Sequence, residues 1–389
     1  MQHSSNYRWL VLFASFLTFV AFAFVFQTMP PLLPTVGAVF GVSEAQAGLL
    51  MSMPVIPGIF LAIPVGLVVN KYGFRLIGFA STLVVAAGSL TTALASTFAT
   101  ALLGRFILGI GGAFIIVGMP TIIPQWFSHK DLGKAMGFYG TNMPVATITA
   151  FPISTILLQN SGDWHIPFYL GTVVAFVIAL VFAAVIREGP LKSKRESIGK
   201  KEVKQAVTNA EVWKASLVWM FFNTTAIAYL SWAKTLFQLF KGLEPLAASI
   251  MASVLMYAAV IFVPFFGWAA DKSGRRKPFM VAGSVAMALA LIATSYASGV
   301  TLLPSVIVLG IAAATVPPIV MTIPPESLPP HLAGTAFSIV TLCQNVGITL
   351  SAPLAGYLIQ TTGDLSLTFF GISLFAFAAA VTALTLKTK

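Results

Sequence analysis

The sequence predicts an all-α integral membrane protein: twelve transmembrane helices in two pseudo-symmetric six-helix bundles, with both termini in the cytoplasm. Three observations predict it. The 389 residues are 58% hydrophobic and only 8% charged, with a mean hydropathy of +0.92, whereas a soluble domain carries about 25% charged residues. The apolar residues come in long unbroken segments of helical spanning length, not in the alternating pattern of a membrane barrel. Finally, a basic turn at residues 267–278 is written twice. Its weaker copy lies 201 residues earlier, at 66–75, with Asn70 over Asp271 and Arg75 over Arg276. The chain therefore reads as one half repeated.

Twelve spans are expected near 9–29, 46–69, 76–96, 100–123, 134–157, 167–187, 215–238, 246–269, 278–298, 302–323, 335–358 and 366–385. They divide into an N-terminal bundle over 1–187 and a C-terminal bundle over 213–389. A basic linker at 188–212 joins them. It carries Lys192, Lys194, Arg195, Lys200, Lys201 and Lys204, and its second half is spaced as an amphipathic helix for the membrane surface. With the N-terminus inside, every base except Arg105, Lys234 and Lys241 falls on the cytoplasmic side, which sets the orientation by the positive-inside rule. The repeat runs on beyond the loops. Residues 40–51 echo 240–251, Leu108-Gly109-Ile110 echoes Leu309-Gly310-Ile311, and Gly133 with Ala135 echoes Gly334 with Ala336. Two parallel halves related by an axis along the membrane normal give such an offset.

Other function classes are disfavoured. The net charge of +11 sits in short loops and the linker, where anionic lipid rather than nucleic acid meets it. Cys343 is the single cysteine, which leaves no intramolecular disulfide and no metal cluster. No zinc-protease, nucleophile-elbow or phosphate-loop motif is present, so neither an enzyme nor a bound cofactor is expected. The first apolar segment is too long for a signal-peptide core and reads as a retained helix. The expected setting is the cell membrane, crossed many times, with the chain as a monomer.

These residues resemble the major facilitator superfamily over essentially the whole chain. Gly267, Asp271, Lys272, Gly274, Arg275 and Arg276 match its loop signature between the eighth and ninth spans. Arg105 followed by Gly109, Gly111 and Gly112 is similar to its fourth-span signature. The fifth-span signature of proton-coupled drug exporters is missing. Residues 137–144 and 124–127 look most like the cyanate and nitrate/nitrite branch. That branch carries binding arginines in its second and eighth spans. Here neither span has a base before Lys272, so the resemblance does not extend to a nitrate site.

The resemblance implies that Gly267, Asp271, Gly274, Arg275 and Arg276, with Gly66, Asn70, Gly73 and Arg75 in the first copy, form cytoplasmic gates. A basic topology anchor is the plainer reading. Asp271 is expected to accept from the amides that open a neighbouring helix, and Asn70 to form a weaker latch without charge. Glu326, in a proline-rich turn, either pairs with Lys71, Arg75 or the linker bases across the cytoplasmic gate or, the plainer reading, stays an unpaired solvated acid. Arg105 has two readings, support of helix packing or direct handling of substrate charge. Lys234 likewise either draws an anion into an outer vestibule or snorkels to headgroups. The glycines after Arg105 are expected to permit close helix packing. Tyr139, Asn142, Asn223, Tyr257, Gln344 and Asn345 lie in otherwise apolar spans, and such polar groups either line a midplane substrate site or tie helices together.

All eleven acids and all four histidines fall in loops or at span ends. No titratable relay is visible in the spans, which favours exchange, facilitated diffusion or a proton carried on the substrate. The reading is a secondary or facilitative transporter of a small organic or inorganic anion, working by rocker-switch alternating access. An exporter of amphipathic compounds is the alternative, and a membrane sensor that binds without transporting is the second.

Overall fold

Proline decides where the spans break. The computed structural model describes residues 6–127, 129–187, 189, 205, 207–329 and 332–387, and all regular structure among them is helical. The first span is α1 (Tyr7–Thr28), a 3-10 turn over Pro30–Leu32, and α2 (Leu33–Phe40). Proline lacks an amide hydrogen and crowds the carbonyl four residues back, so Pro30 and Pro31 end α1. The second span parts at Pro54 into α3 (Glu44–Ser52) and α4 (Ile56–Tyr72). Then follow α5 (Phe74–Ala93) and α6 (Phe98–Ile122). The fifth span splits at Gly140-Thr141 into α7 (His129–Tyr139) and α8 (Asn142–Ser161), because Pro144 withholds the hydrogen that the Gly140 carbonyl would receive. The sixth is α9 (Ile166–Val185).

The second half holds α10 (Ala210–Lys241), α11 (Pro245–Ser273) and α12 (Arg276–Tyr296). The tenth span begins as α13 (Leu302–Ala313) and is chopped by paired prolines into the short α14 (Val316–Val320) and α15 (Ile323–Glu326). It is followed by α16 (Ala333–Thr362) and α17 (Leu365–Leu384). The expected single helices at 46–69, 134–157 and 302–323 are thus each interrupted. Among the described residues, eleven helical stretches are long and apolar enough to cross a membrane. The twelfth helix of spanning length, α10, falls short of that hydropathy because Asn223, Thr224, Thr225, Tyr229, Ser231 and Lys234 dilute it. All six are buried.

The chain folds into two compact units, Met1–Val36 with Met53–Arg195, and Gly37–Ser52 with Glu196–Lys389. Most of the 188–212 linker, including its expected amphipathic helix, lies outside the described residues.

Each unit is packed through close backbone approaches. In the first, a Cβ on Gly109 would stand 2.2 Å from the Pro54 carbonyl oxygen, and one on Gly112 would stand 2.2 Å from the Phe22 ring. The glycines of α6 therefore serve helix packing, as expected. In the second unit α3 lies on α16. A Cβ on Gly48 would come within 2.6 Å of the Ala352 backbone, and Ser52 donates to the Thr349 carbonyl at 2.5 Å.

Candidate functional site

Arg105 is fully buried in α6. Its Nη1 donates to the Val25 carbonyl at 2.9 Å and its Nη2 to the Phe26 carbonyl at 3.0 Å, with the guanidinium 5.6 Å from the Phe26 ring centroid. The cause lies in the first span. Pro30 sits four residues after Phe26 and cannot supply the hydrogen that carbonyl would accept. A planar, multiply donating guanidinium fills the gap better than an ammonium could. Of the two readings of Arg105, the geometry carries helix support.

One residue further along, Gln27 is also fully buried. Its Nε2 donates to the Thr147 hydroxyl at 2.8 Å, and that hydroxyl donates to the Met143 carbonyl. The bond chain assigns the amide orientation and leaves Gln27 Oε1 buried with no hydrogen-bond partner among the described residues. Tyr139, the last residue of α7, stacks edge-on to Phe19 at 6.0 Å, and its buried hydroxyl has no partner among the described residues. Asn142 opens α8 and folds its Oδ1 onto the Met143 amide at 2.6 Å. In the first unit α1 thus meets the broken fifth span at two levels about 12 Å apart, Phe19 against Tyr139 of α7 and Gln27 against Thr147 of α8, with Asn142 at the break. Sequence reasoning found Tyr139 and Asn142 and missed Gln27, although it is the one amide in the 9–29 segment.

In the second unit, Asn223, Ile227, Leu230 and Lys234 follow one another at i, i+4, i+7 and i+11, a single face of α10. All four are buried, Lys234 at 6% exposure. Asn223 donates to the Trp219 carbonyl of its own helix at 2.8 Å. Eleven residues of helix rise about 16 Å, so one small solute cannot touch both Asn223 and Lys234. Nearby, Trp232 donates to the Ala352 carbonyl at 2.9 Å, fixing α10 against α16. The hydroxyls of Tyr229 and Thr235 are buried without hydrogen-bond partners among the described residues. Neither was singled out from sequence, because hydroxyls in a span are common. Asn345 is buried and Gln344 half-buried on α16. Tyr257 is 45% exposed, on a stripe of α11 with the still more exposed Ile261, Phe265 and Trp268.

The loop at 267–278 closes on itself. Arg276 holds Asp271 at 3.0 Å and also pairs with Glu326 at the end of α15. This corrects two expectations. Asp271 accepts from a guanidinium rather than from the amides opening a neighbouring helix, and Glu326 is paired rather than free in solvent. A long acid at the end of a proline-stiffened turn reaches the arginine because the turn holds it there. Gly274 caps α11 in the left-handed region at φ 63°, which suits glycine. Gly267 packs towards Pro318, and Arg275 is exposed. In the first copy, Gly73 turns the chain at φ 79° and Arg75 donates through Nε to the Ala183 carbonyl at 2.8 Å. Gly66 and Asn70 lie on α4, and their side-chain surroundings fall outside the described residues.

The sequence profile of the Major Facilitator Superfamily matches residues 11–255 and 221–389. The chain belongs to this superfamily. It is a multi-pass transporter of the cell membrane and not an enzyme. Among its relatives, a probable nitrate transporter, NarT, of Staphylococcus epidermidis is 24% identical over 377 residues, covering 96% of this chain and 95% of the relative. A nitrite extrusion protein of Bacillus subtilis is 24% identical over 233 residues, covering 59% and 57%. Among solved structures, a bacterial homolog of the human lysosomal transporter Spinster, in an inward-facing and occupied conformation, superposes with a TM-score of 0.82. Its identity is 19%, over 99% of this chain and 98% of that one. That likeness establishes the shared major facilitator fold.

Proposed function

We propose that this protein carries a small anion across the cell membrane by alternating access. The moving halves are 1–187 and 213–389, both termini and the 188–212 linker are cytoplasmic, and the loops at 66–75 and 267–278 gate that side. The observation that carries the anion is Lys234, a cation buried at 6% exposure in the most polar span. A buried intramembrane charge is costly and marks a functional position by default. Arg105 contributes support to the first span instead, and the second and eighth spans offer no base before Lys272. The relatives named for nitrate and nitrite support an anionic cargo. Within the first unit, Tyr139 and Asn142 are further uncharged polar groups that a hydrated anion could meet, the Tyr139 hydroxyl as a donor. With every acid and histidine in a loop or at a span end, exchange or co-transport of a substrate-borne proton is the favoured coupling.

Proteoliposome counterflow tests this with nitrate, nitrite, cyanate and formate. At least one of them is expected to exchange, and Lys234→Gln is expected to lower that flux more than about tenfold while Lys234→Arg retains part of it. Flux of amphipathic cations alone would replace the reading with an exporter. Binding without flux of any solute would replace it with a sensor.

A further inference from the structure

A groove of about 1130 Å³ runs along the outer face of α12. It begins under the loop at Gly274, with Arg275 and Lys277 at its mouth, and continues over Ala282, Ala286 and Leu289, with Leu384 of α17 on its flank. The two alanines create the depression between larger neighbours. From Pro278 to Leu289 the helix rises roughly 16 Å, close to the ~15 Å depth of one leaflet's hydrocarbon.

The mouth is basic by excess, with Lys272, Arg275, Arg276 and Lys277 against Asp271 and Glu326. Asp271 and Glu326 are both held by Arg276, while Arg275 is exposed and has no acidic partner among the described residues. Lys277 donates one hydrogen to the Leu386 carbonyl at 3.0 Å, and an ammonium has two more. A positive mouth at headgroup depth above an apolar channel one leaflet deep has the charge pattern of an anionic lipid turned inside out.

We propose that this groove holds one anionic glycerophospholipid, its phosphodiester between Arg275 and Lys277 and one acyl chain against Ala282 and Ala286. The site is separate from the cargo groups, so it stands whether or not the cargo is an anion. A free phosphate would use the bases and ignore the apolar wall. A zwitterionic lipid would use the wall with little gain from the bases.

Native mass spectrometry of the full-length protein, given equimolar dioleoyl-phosphatidylglycerol and dioleoyl-phosphatidylcholine, reads the site directly. The expected result is preferential retention of phosphatidylglycerol. Arg275→Gln and Lys277→Gln should each weaken it about fivefold with phosphatidylcholine unchanged. Ala286→Trp, or the milder Ala282→Leu, should displace the lipid with both bases intact, and glycerol 1-phosphate should not compete. Equal retention of the two lipids, indifference to the base substitutions, indifference to both groove fillers, or competition by glycerol 1-phosphate would each overturn the proposal.

Discussion

In the first half of the repeat the opening span is broken at Pro30 and Pro31 and mended by Arg105; in the second half neither the break nor the arginine exists. The pairing that sets Phe40 over Phe240 places Leu230 and Ser231 where the prolines were, and the pairing of Leu108 with Leu309 places the buried Val306 opposite Arg105. The corresponding helix α10 runs 32 residues without interruption. The two gate loops differ in the opposite sense. Arg276 has two acids, whereas the positions matching Asp271 and Glu326 in the first half are the amides Asn70 and Gln125. There Arg75 goes to a helix-end carbonyl instead. Residues that depend on one another have diverged as sets, which is what mutual satisfaction of polar groups requires in a low-dielectric setting.

The largest test of this comparison is Arg105→Met. It leaves the Val25 and Phe26 carbonyls buried without their donor and should cost about 2–5 kcal/mol in reversible unfolding. Adding Pro30→Ala restores an amide hydrogen opposite Phe26 and should recover about 1 kcal/mol. Strict additivity in that double-mutant cycle would mean that the break and the arginine are unrelated. A middle-sized effect is expected at the loops. Arg276→Gln should cost about 1 kcal/mol, given the exposure of both acids, and the loss should shrink in high salt. Arg75→Gln, which gives up a bond to a neutral carbonyl, should show little salt dependence. Equal salt slopes for the two variants would erase the contrast.

The smallest effect concerns the matching turns at Asp163 and Asp364. The His165 backbone amide, 2.9 Å from its oxygen, holds the Asp163 carboxyl below the ordinary value of 3.8. A carboxyl with a depressed folded value contributes stability that is present above its unfolded value and lost as pH falls through the folded one. Thermal midpoints taken between about pH 5 and pH 3 should therefore fall less for Asp163→Asn than for the parent chain. A parallel decline would remove Asp163 from the acid response.

The spans, the repeat and the charged loops were legible in the sequence because each is a matter of composition and order. The glycines after Arg105 also read correctly, since close approach is a property of the residue itself. The helix breaks were written in Pro54, Pro144, Pro317 and Pro318, but apolar length alone hides them. Arg105 was legible as an intramembrane base with a task, yet its carbonyl partners depend on how α6 crosses α1. The same holds for Glu326, whose partner lies fifty positions away in the chain, and for Gln27, whose importance appears only when Thr147 occupies one end of its amide and nothing occupies the other. Periodicity reports faces, and pairings across faces have to be seen.

The polarity of α10 also bears on how the protein is made. A segment carrying Asn223, Tyr229, Ser231 and Lys234 is a poor substrate for stand-alone insertion, since the amide, the hydroxyls and a lysine towards its outer end all oppose it. Its binding face for α16 is synthesised about a hundred residues before α16 exists. The seventh span must therefore wait beside the insertion machinery, or enter together with the more apolar α11 that follows it. Glycosylation mapping of nascent chains should find α10 outside the bilayer when the chain stops at Lys241, and inside once α11 has been added.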